Sequence, residues 1–185
     1  MHKVYITPMQ EELSYSVRAT QIKDQSQEYT IRADAGQRAA LASRFGLPEI
    51  ARLEGHFTLQ HERSGIITAA LAMDAAVTQI CVVTLEPFKT SIKDTSALRF
   101  VPEAKLHYVL GDDEQETDFT PDALDSPDEI PYANDSIDLG AALAEQLALS
   151  LDPYPRKPGA ALPEAASQDS ANPFAVLGAR FAKPD

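Results

Sequence analysis

Residues 53–73, LEGHFTLQHERSGIITAALAM, decide the fold of this chain. In the first half, Leu53, Phe57 and Leu59 share one parity, while polar residues fill the other parity. Side chains alternate between the two faces of a β-strand, so this pattern predicts a strand with one buried face and one wet face. Ser64–Gly65 then forms a turn signal before a second apolar run. The stretch therefore predicts a β-hairpin.

Further strand patterns lie on both sides of this hairpin. Residues 28–32 predict a strand before it. Residues 75–85 predict a strand that extends or follows the hairpin, and Pro87 is expected to end it because proline cannot donate to a central ladder. Residues 98–101 predict a further strand that stops at Pro102. The short connections between these runs favour antiparallel pairing.

A first helix is predicted near residues 35–46. Asp34 stands at its N-cap and Gln37 three residues later, which is a capping-box pattern. Gly46 and Pro48 follow in the order that is typical of a helix end.

A second helix is predicted near residues 137–150. Either Asp135 or Ser136 is expected to cap it, and Pro153 is expected to stop it. Its apolar stripe at helical spacing consists of Leu139, Leu143 and Leu147. The fold class expected from these elements is α+β, with an antiparallel sheet or partly open barrel flanked by helices.

The length of 185 residues suits one domain with a real core, which we place at residues 1–151 with an acidic loop at 112–136. Prolines and alanines predict a flexible linker over 152–171. A short C-terminal helix is predicted over 172–182, with Asn172 as N-cap, Pro173 in the first turn and Phe174 on its apolar face. So short a helix needs a docking surface, which is either the core of the same chain or a groove on a partner.

The net charge of −12 is concentrated in one segment. Residues 112–138 contain eleven acidic residues and no Lys or Arg, so the rest of the chain carries about −1. The candidate partner-binding acids are Asp112, Asp113, Glu114, Glu116 and Asp118. Such a segment suits a basic protein partner, although a merely solvated loop is an equal alternative. The chain lacks the basic excess that phosphate binding requires.

Membrane insertion and secretion are not indicated by the sequence. The longest mostly apolar run, residues 66–85, is interrupted by Asp74 and by other polar residues. Glu11 and Glu12 stand where a signal peptide would be apolar, so a cytoplasmic location is expected. A single cysteine, Cys81, cannot form an internal disulfide, which fits a reducing compartment.

Catalytic and metal-binding motifs are missing from the sequence. The eight glycines form no phosphate-binding loop, so no nucleotide or other small-molecule substrate is expected. Cys81, predicted in mid-strand, has no neighbouring histidine and is expected to be a buried, inert thiol. His56 and His61 are five residues apart on a strand and point to opposite faces, so they do not chelate one ion. We therefore expect no enzyme, no metal and no cofactor.

Four short motifs in order carry a resemblance to a known family. They are Cys81-Val82-Val83-Thr84-Leu85-Glu86-Pro87-Phe88, the strand end Phe100-Val101-Pro102-Glu103, the helix start Ile137-Asp138-Leu139, and Asn172-Pro173-Phe174. Together they resemble the YceD family of large ribosomal RNA subunit accumulation proteins, and alphaproteobacterial members in particular. Many members carry Cys-x-x-Cys in the central motif, and some add a second cysteine cluster that suggests zinc. Thr84 replaces the second cysteine here, so zinc is not carried over to this chain.

The resemblance implies a role in bacterial ribosome biogenesis, in which the chain supports accumulation of large-subunit ribosomal RNA. The partner it implies is a ribosomal protein or the pre-ribosomal large subunit. The motif positions Cys81, Leu85, Glu86, Pro87 and Phe88, with the C-terminal Asn-Pro-Phe, are either structural or contact residues.

Three functional hypotheses remain open at this point. The first is a non-enzymatic assembly factor that contacts a basic ribosomal protein through the acidic segment. The second is direct RNA binding by one sheet face, using the basic residues Arg32, Arg52, Arg63, Lys89, Lys93 and Arg99. The third is an enzyme of unrecognised type, which would need a deep pocket lined by converging titratable groups. A generic acidic interaction module is a further alternative to the first.

Overall fold

A computed structural model describes residues 12–105 and 128–161 of the chain. These residues form a five-stranded sheet, a two-stranded ribbon and two α-helices. In chain order the elements are β1 (Ser16–Arg18), β2 (Gln27–Arg32), α1 (Ala35–Phe45), β3 (Glu49–His61), β4 (Ile67–Ile80), β5 (Pro87–Pro102), β6 (Asp128–Tyr132), β7 (Ser136–Asp138) and α2 (Leu139–Ser150).

The five-stranded sheet has the order β2-β3-β4-β5-β6, and β1 pairs with β7 in the separate ribbon. The predicted hairpin is confirmed as β3 and β4, which pair antiparallel from Glu49↔Thr78 to His61↔Ile67. The sheet does not close into a barrel, so the α+β prediction is confirmed in its open-sheet form. Pairing is antiparallel except between β5 and β6, which are parallel. Residues 103–127 connect β5 to β6. A connection of this length allows parallel pairing, because parallel strands need a crossover between them.

The strand predicted over residues 75–85 is wrong in its second half. β4 ends at Ile80, and residues 81–86 form a turn that leads directly into β5. Pro87 begins the next strand opposite Ile80 instead of ending the previous one. Proline is tolerated at the first position of a strand, where its missing N–H leaves no gap in the ladder. Cys81 therefore lies at the start of a turn and not in mid-strand.

The core lies between the inner face of the sheet and the helix α2. Leu139, Leu143 and Leu147 are each fully buried, which confirms the predicted stripe. A Cβ placed on Gly55 would lie 2.8 Å from Leu143 Cδ1, so the absence of a side chain in β3 lets the helix approach. The first helix, α1, packs against β3, with Leu41 fully buried.

The capping box of α1 is confirmed, with Gln37 N donating to Asp34 and Asp34 N donating to the Gln37 side chain, both at 2.9 Å. For α2, the predicted caps Asp135 and Ser136 are wrong. Asp138 caps the helix, because the residues before it pair with β1 as a strand.

The acidic loop predicted over 112–136 contains β6 and the first residue of β7 in its last third. The first part of the predicted linker, residues 152–161, contacts the turn at residues 81–86. The remaining linker, the predicted helix 172–182 and residues 112–127 lie outside the described residues.

Candidate functional site

The face of the sheet turned away from α2 is a first candidate surface, and we call it the outer face. The alternation of burial along the strands identifies the residues of this face. In β4, residues 67, 69, 71, 73, 75 and 77 are buried and point to the inner face, and the residues between them point to the outer face. Cross-strand pairing then assigns the remaining strands to rows. One row is Thr30–His56–Ala72–Thr95, and the next is Glu28–Thr58–Ala70–Ala97.

The centre of the outer face is flat because its side chains are small. Ala70, Ala72, Ala97, Thr58 and Thr95 line a shallow groove of about 410 Å³. His56 borders this groove and contacts the Thr30 hydroxyl through Nδ1 at 3.1 Å. Its Nε2 lies 3.2 Å from Glu54 Oε1. A flat, exposed surface of this kind suits contact with another macromolecule better than enclosure of a small ligand.

Five of the six basic residues considered for RNA binding gather on the outer face. Their register positions assign Arg32, Arg52, Lys89, Lys93 and Arg99 to it, whereas Arg63 lies in the turn between β3 and β4. Acidic residues on the same face are Glu28, Glu49, Glu54, Asp74 and Glu129. The two sets are equal in number, so the formal net charge of this face is zero.

Three of these basic side chains are committed to ion pairs. The Arg32 Nε to Glu54 Oε1 distance is 2.9 Å, as is the Arg99 Nη1 to Glu129 Oε1 distance. Arg52 Nη2 lies 2.5 Å from Asp74 Oδ1. Pairing neutralises the charge that a phosphate would otherwise meet, so the gathering of basic residues does not produce a basic surface.

The turn at residues 81–86 is the second candidate surface. Cys81 N donates to the carbonyl of Glu86 at 2.9 Å, and Leu85 N donates to the carbonyl of Cys81 at 2.8 Å. Leu85 has a φ of 60° and an exposed fraction of 76 %. Pro87 is exposed, and Phe88 is half-buried opposite Gln79.

Cys81 stabilises this turn from the inside. Its side chain is fully buried, and its Sγ accepts a hydrogen bond from Thr84 N at 3.5 Å. Hydrogen bonds from Thr84 and from the backbone of Lys157 lower the pKa of the Cys81 thiol to about 7, although burial opposes the shift. Donors of this kind favour the thiolate, so the predicted burial is confirmed while the thiol is more acidic than an ordinary core cysteine.

A strap formed by residues 152–157 holds the turn from the outside. Gln79 Nε2 donates to the carbonyl of Asp152 at 3.2 Å, and Val82 N donates to the carbonyl of Pro155 at 2.9 Å. Lys157 Nζ lies 2.9 Å from Glu86 Oε2, and this hydrogen bond raises the pKa of Lys157. The contacts of Thr84 and Lys157 in this turn were not predicted from the sequence. Only the Cys-x-x-Thr spacing gave a signal for Thr84, and no local signal pointed to Lys157.

The acidic segment is divided by the structure. Four of its eleven acids lie in the described residues, and each contacts the folded domain. Glu129 pairs with Arg99, Asp128 accepts a bond from Gln146, Asp135 binds the backbone and hydroxyl of Thr20, and Asp138 caps α2. The candidate partner-binding acids Asp112, Asp113, Glu114, Glu116 and Asp118 lie outside the described residues, as do Asn172, Pro173 and Phe174.

Metal ligands do not converge in the parts of the chain that the structure describes. No group of three or more His, Cys, Asp or Glu side chains is placed to hold an ion there. His56 contacts Thr30 and Glu54, whereas His61 Nδ1 lies 3.2 Å from Asp24 Oδ1, so the two histidines have separate surroundings. Among the described helices, none has the length and apolar character needed to span a membrane.

The fold and its surfaces define a small α+β domain with an open sheet, a flat charge-balanced outer face and a strapped β-turn. The chain belongs to the YceD family, described as the large ribosomal RNA subunit accumulation protein YceD, whose profile matches residues 69–178. The match covers more than half of the chain and includes the turn at 81–86 and the acidic segment. No curated protein and no solved structure matches the chain.

Family membership gives the chain a role in accumulation of large-subunit ribosomal RNA. It also confirms the resemblance on which the sequence analysis based that role.

Proposed function

We propose that the chain supports accumulation of large-subunit ribosomal RNA by binding a basic ribosomal protein, without catalysing a reaction. The observation that carries this proposal is the charge balance of the outer face. Five basic and five acidic side chains share it, and three ion pairs bind them together. This arrangement presents polar groups of both signs to a partner.

Direct RNA binding is the weaker candidate on electrostatic grounds. Affinity for a phosphate backbone comes largely from basic side chains that release its counterions. On the outer face, Lys89 and Lys93 are the two basic residues without an ion pair among the described residues. Two unpaired lysines, of which Lys93 lies opposite Asp74, supply little of this counterion-release affinity.

The acidic segment supplies the attraction for a basic partner. Seven of its acids lie between residues 112 and 125, and no Lys or Arg accompanies them. The chain leaves the sheet after Pro102, the last residue of β5, and returns to it at Asp128, the first residue of the edge strand β6. Charge of one sign steers an oppositely charged partner and raises its association rate. In the sequence, these acids therefore lie between the end of β5 and the start of β6.

A non-catalytic mode of action agrees with the shapes of the grooves. The groove at the centre of the outer face is lined by alanines and threonines with His56 as its one titratable residue. A second groove places Asp24 beside His61, where the two side chains pair with each other. Groups that satisfy each other at an open surface do not form the enclosed acid–base pair that catalysis needs.

The test compares binding of the full chain to two defined probes: protein extracted from large ribosomal subunits and freed of RNA, and RNA extracted from the same subunits. One variant replaces the seven acids Asp112, Asp113, Glu114, Glu116, Asp118, Asp122 and Asp125 by Asn or Gln. We expect at least tenfold weaker binding to the protein fraction, and binding of the unmodified chain that weakens as salt is raised.

A second variant, with Lys89 and Lys93 both changed to Gln, serves as the control for RNA binding. We expect its binding to the protein fraction to be unchanged. If the seven-acid variant binds the protein fraction like the unmodified chain, the proposal fails. RNA binding that the Lys89 and Lys93 changes abolish would establish the alternative.

A further inference from the structure

Exposed apolar side chains cluster around the turn at residues 81–86. We call this cluster the apolar turn surface, and it consists of Ile80, Val82, Leu85 and Tyr154. The first three belong to the hairpin end, and Tyr154 precedes Pro155, whose carbonyl accepts the hydrogen bond from Val82 N. Among the described residues, just two other large apolar side chains, Tyr15 and Leu149, are comparably exposed. The concentration at one hairpin end marks a contact surface.

The backbone of this turn favours display of Leu85. A φ of 60° is a conformation that residues other than glycine, asparagine and aspartate rarely adopt. Glycine would occupy it without a steric cost, yet the chain has leucine there, with 76 % of it exposed. Strain of this kind at an exposed apolar residue points to a contact that the side chain makes elsewhere.

The strap, residues 152–157, lies against the turn and precedes the C-terminal segment in the sequence. Residues 152–157 contact Gln79 near the end of β4, and Val82 and Glu86 in the turn. The last twenty-four residues, from 162 to 185, include Phe174, Leu177 and Phe181 at the spacing of one helix face.

We infer that the apolar turn surface is the docking site of this chain's own C-terminal segment, residues 172–182, through Phe174, Leu177 and Phe181. The connection from Ala161 to Asn172 spans eleven residues, which reach at most roughly 36 Å when extended. A flexible chain of eleven residues averages about 18 Å between its ends. A tether that starts at the docking site holds the segment at a local concentration on the order of millimolar.

The segment and the surface complement each other chemically. Two phenylalanines and a leucine meet an isoleucine, a valine, a leucine and a tyrosine, and burial of both sets removes apolar area from water. The helix predicted over 172–182 is short, and a helix of that length needs docking for its stability. The family profile spans residues 69–178, so it contains both the turn and most of the segment. This inference is independent of whether the ribosomal partner is protein or RNA.

Hydrogen exchange followed by mass spectrometry tests the inference on the full chain. We expect peptides covering 172–182 to exchange at least tenfold more slowly than a synthetic peptide of the same sequence. The variant Leu85→Gly removes the apolar side chain at a backbone conformation that glycine prefers, so the fold is kept. It should bring the exchange rate of 172–182 close to that of the free peptide.

Two further variants make the test specific. Phe174→Ala should have the same effect as Leu85→Gly, and the two together should add nothing further. Tyr15→Ala changes an exposed aromatic residue at the other end of α2 and should leave the exchange of 172–182 unchanged.

Three results would overturn the inference. Exchange of 172–182 at the free-peptide rate in the unmodified chain would mean that the segment does not dock internally and is left for a partner. Protection that survives Leu85→Gly would place the docking site elsewhere. Protection that disappears on dilution would mean that the segment docks on a second copy of the chain.

Discussion

The burial of Cys81 was predicted from the sequence, whereas the lowered pKa of its thiol was not. Its burial was expected from the general preference of free cysteine for the interior. Its acidity was not, because the donors responsible are Thr84, three residues on, and the backbone of Lys157, far along the chain. Sequence alone showed the first of these neighbours and gave no sign of the second. Spacing in the sequence predicts contacts between nearby residues. The contact between Cys81 and the strap joins distant residues, so only the fold reveals it.

The thiol should make stability depend on pH in a defined window. Its pKa in the folded chain is lowered to about 7, below that of an unfolded thiol. Between pH 7 and about 9 the unfolded chain therefore binds more protons, and stability rises with pH. The contribution is present above the unfolded pKa and is lost as the pH falls through the folded pKa. Replacement Cys81→Ser should abolish this rise, as urea unfolding at pH 6, 7, 8 and 9 would measure.

The comparison between the two proteins removes the effects of all other titrating groups. The difference in unfolding free energy between unmodified chain and Cys81→Ser should grow between pH 7 and 9. A difference that stays constant across this range would mean that the folded thiol keeps its proton.

At the scale of elements, the sequence predicted the regular parts and failed at the connections. The β3–β4 hairpin and the α2 stripe follow from periodicity, which reports a buried face directly. The turn at residues 81–86 was not predicted, because Val82, Val83 and Thr84 all have a high strand propensity. The segment therefore looked like a continuation of the strand. β6 was missed because an acidic, proline-containing run looks like a loop, and its parallel partner β5 is distant in sequence.

The contact between β3 and α2 should behave as a coupled pair. Gly55→Ala would place a Cβ 2.8 Å from Leu143 Cδ1 in a closed core, which should cost about 1–3 kcal/mol. Leu143→Ala leaves a cavity and should cost about 2–5 kcal/mol. In the double variant the added methyl occupies part of that cavity, so the combined loss should be smaller than the sum. Denaturant unfolding of the four proteins measures this; strict additivity would show that the two residues do not compete for space.

The N-terminus of α2 depends on Asp138. Its carboxylate accepts hydrogen bonds from the backbone N–H groups of Tyr15, Gly140 and Ala141 at 2.8–3.0 Å. Asp138→Ala should lower the unfolding free energy by about 1–2 kcal/mol, because these donors lose their acceptor. Asp138→Asn keeps an oxygen acceptor and should retain most of the stability. Equal losses in the two variants, measured by thermal unfolding, would mean that charge and not capping is responsible.

At the scale of the whole molecule, the acidic residues of the chain fall into two groups, of which one contacts the folded domain. From the sequence, residues 112–138 were interpreted as one acidic segment. In the structure, four of its acids form contacts within the folded domain: Asp128, Glu129, Asp135 and Asp138. For Asp135, hydrogen bonds from Thr20 lower the carboxyl pKa, so its contribution to stability is lost at acidic pH. Charge counting could not separate these acids from the rest, because position in a fold is not a compositional property.

This division predicts different outcomes in cells. Depletion of the protein should lower the ratio of large-subunit to small-subunit ribosomal RNA, in line with the family role. Cys81→Ser should restore the ratio, because the thiol acts in the stability of one turn. The variant with the seven acids of 112–125 neutralised should fold, accumulate to the normal level and still fail to restore it. Quantitative RNA analysis beside immunoblots separates the cases: rescue by the seven-acid variant would remove these acids from function, and an unchanged ratio on depletion would show that the family role does not extend to this chain.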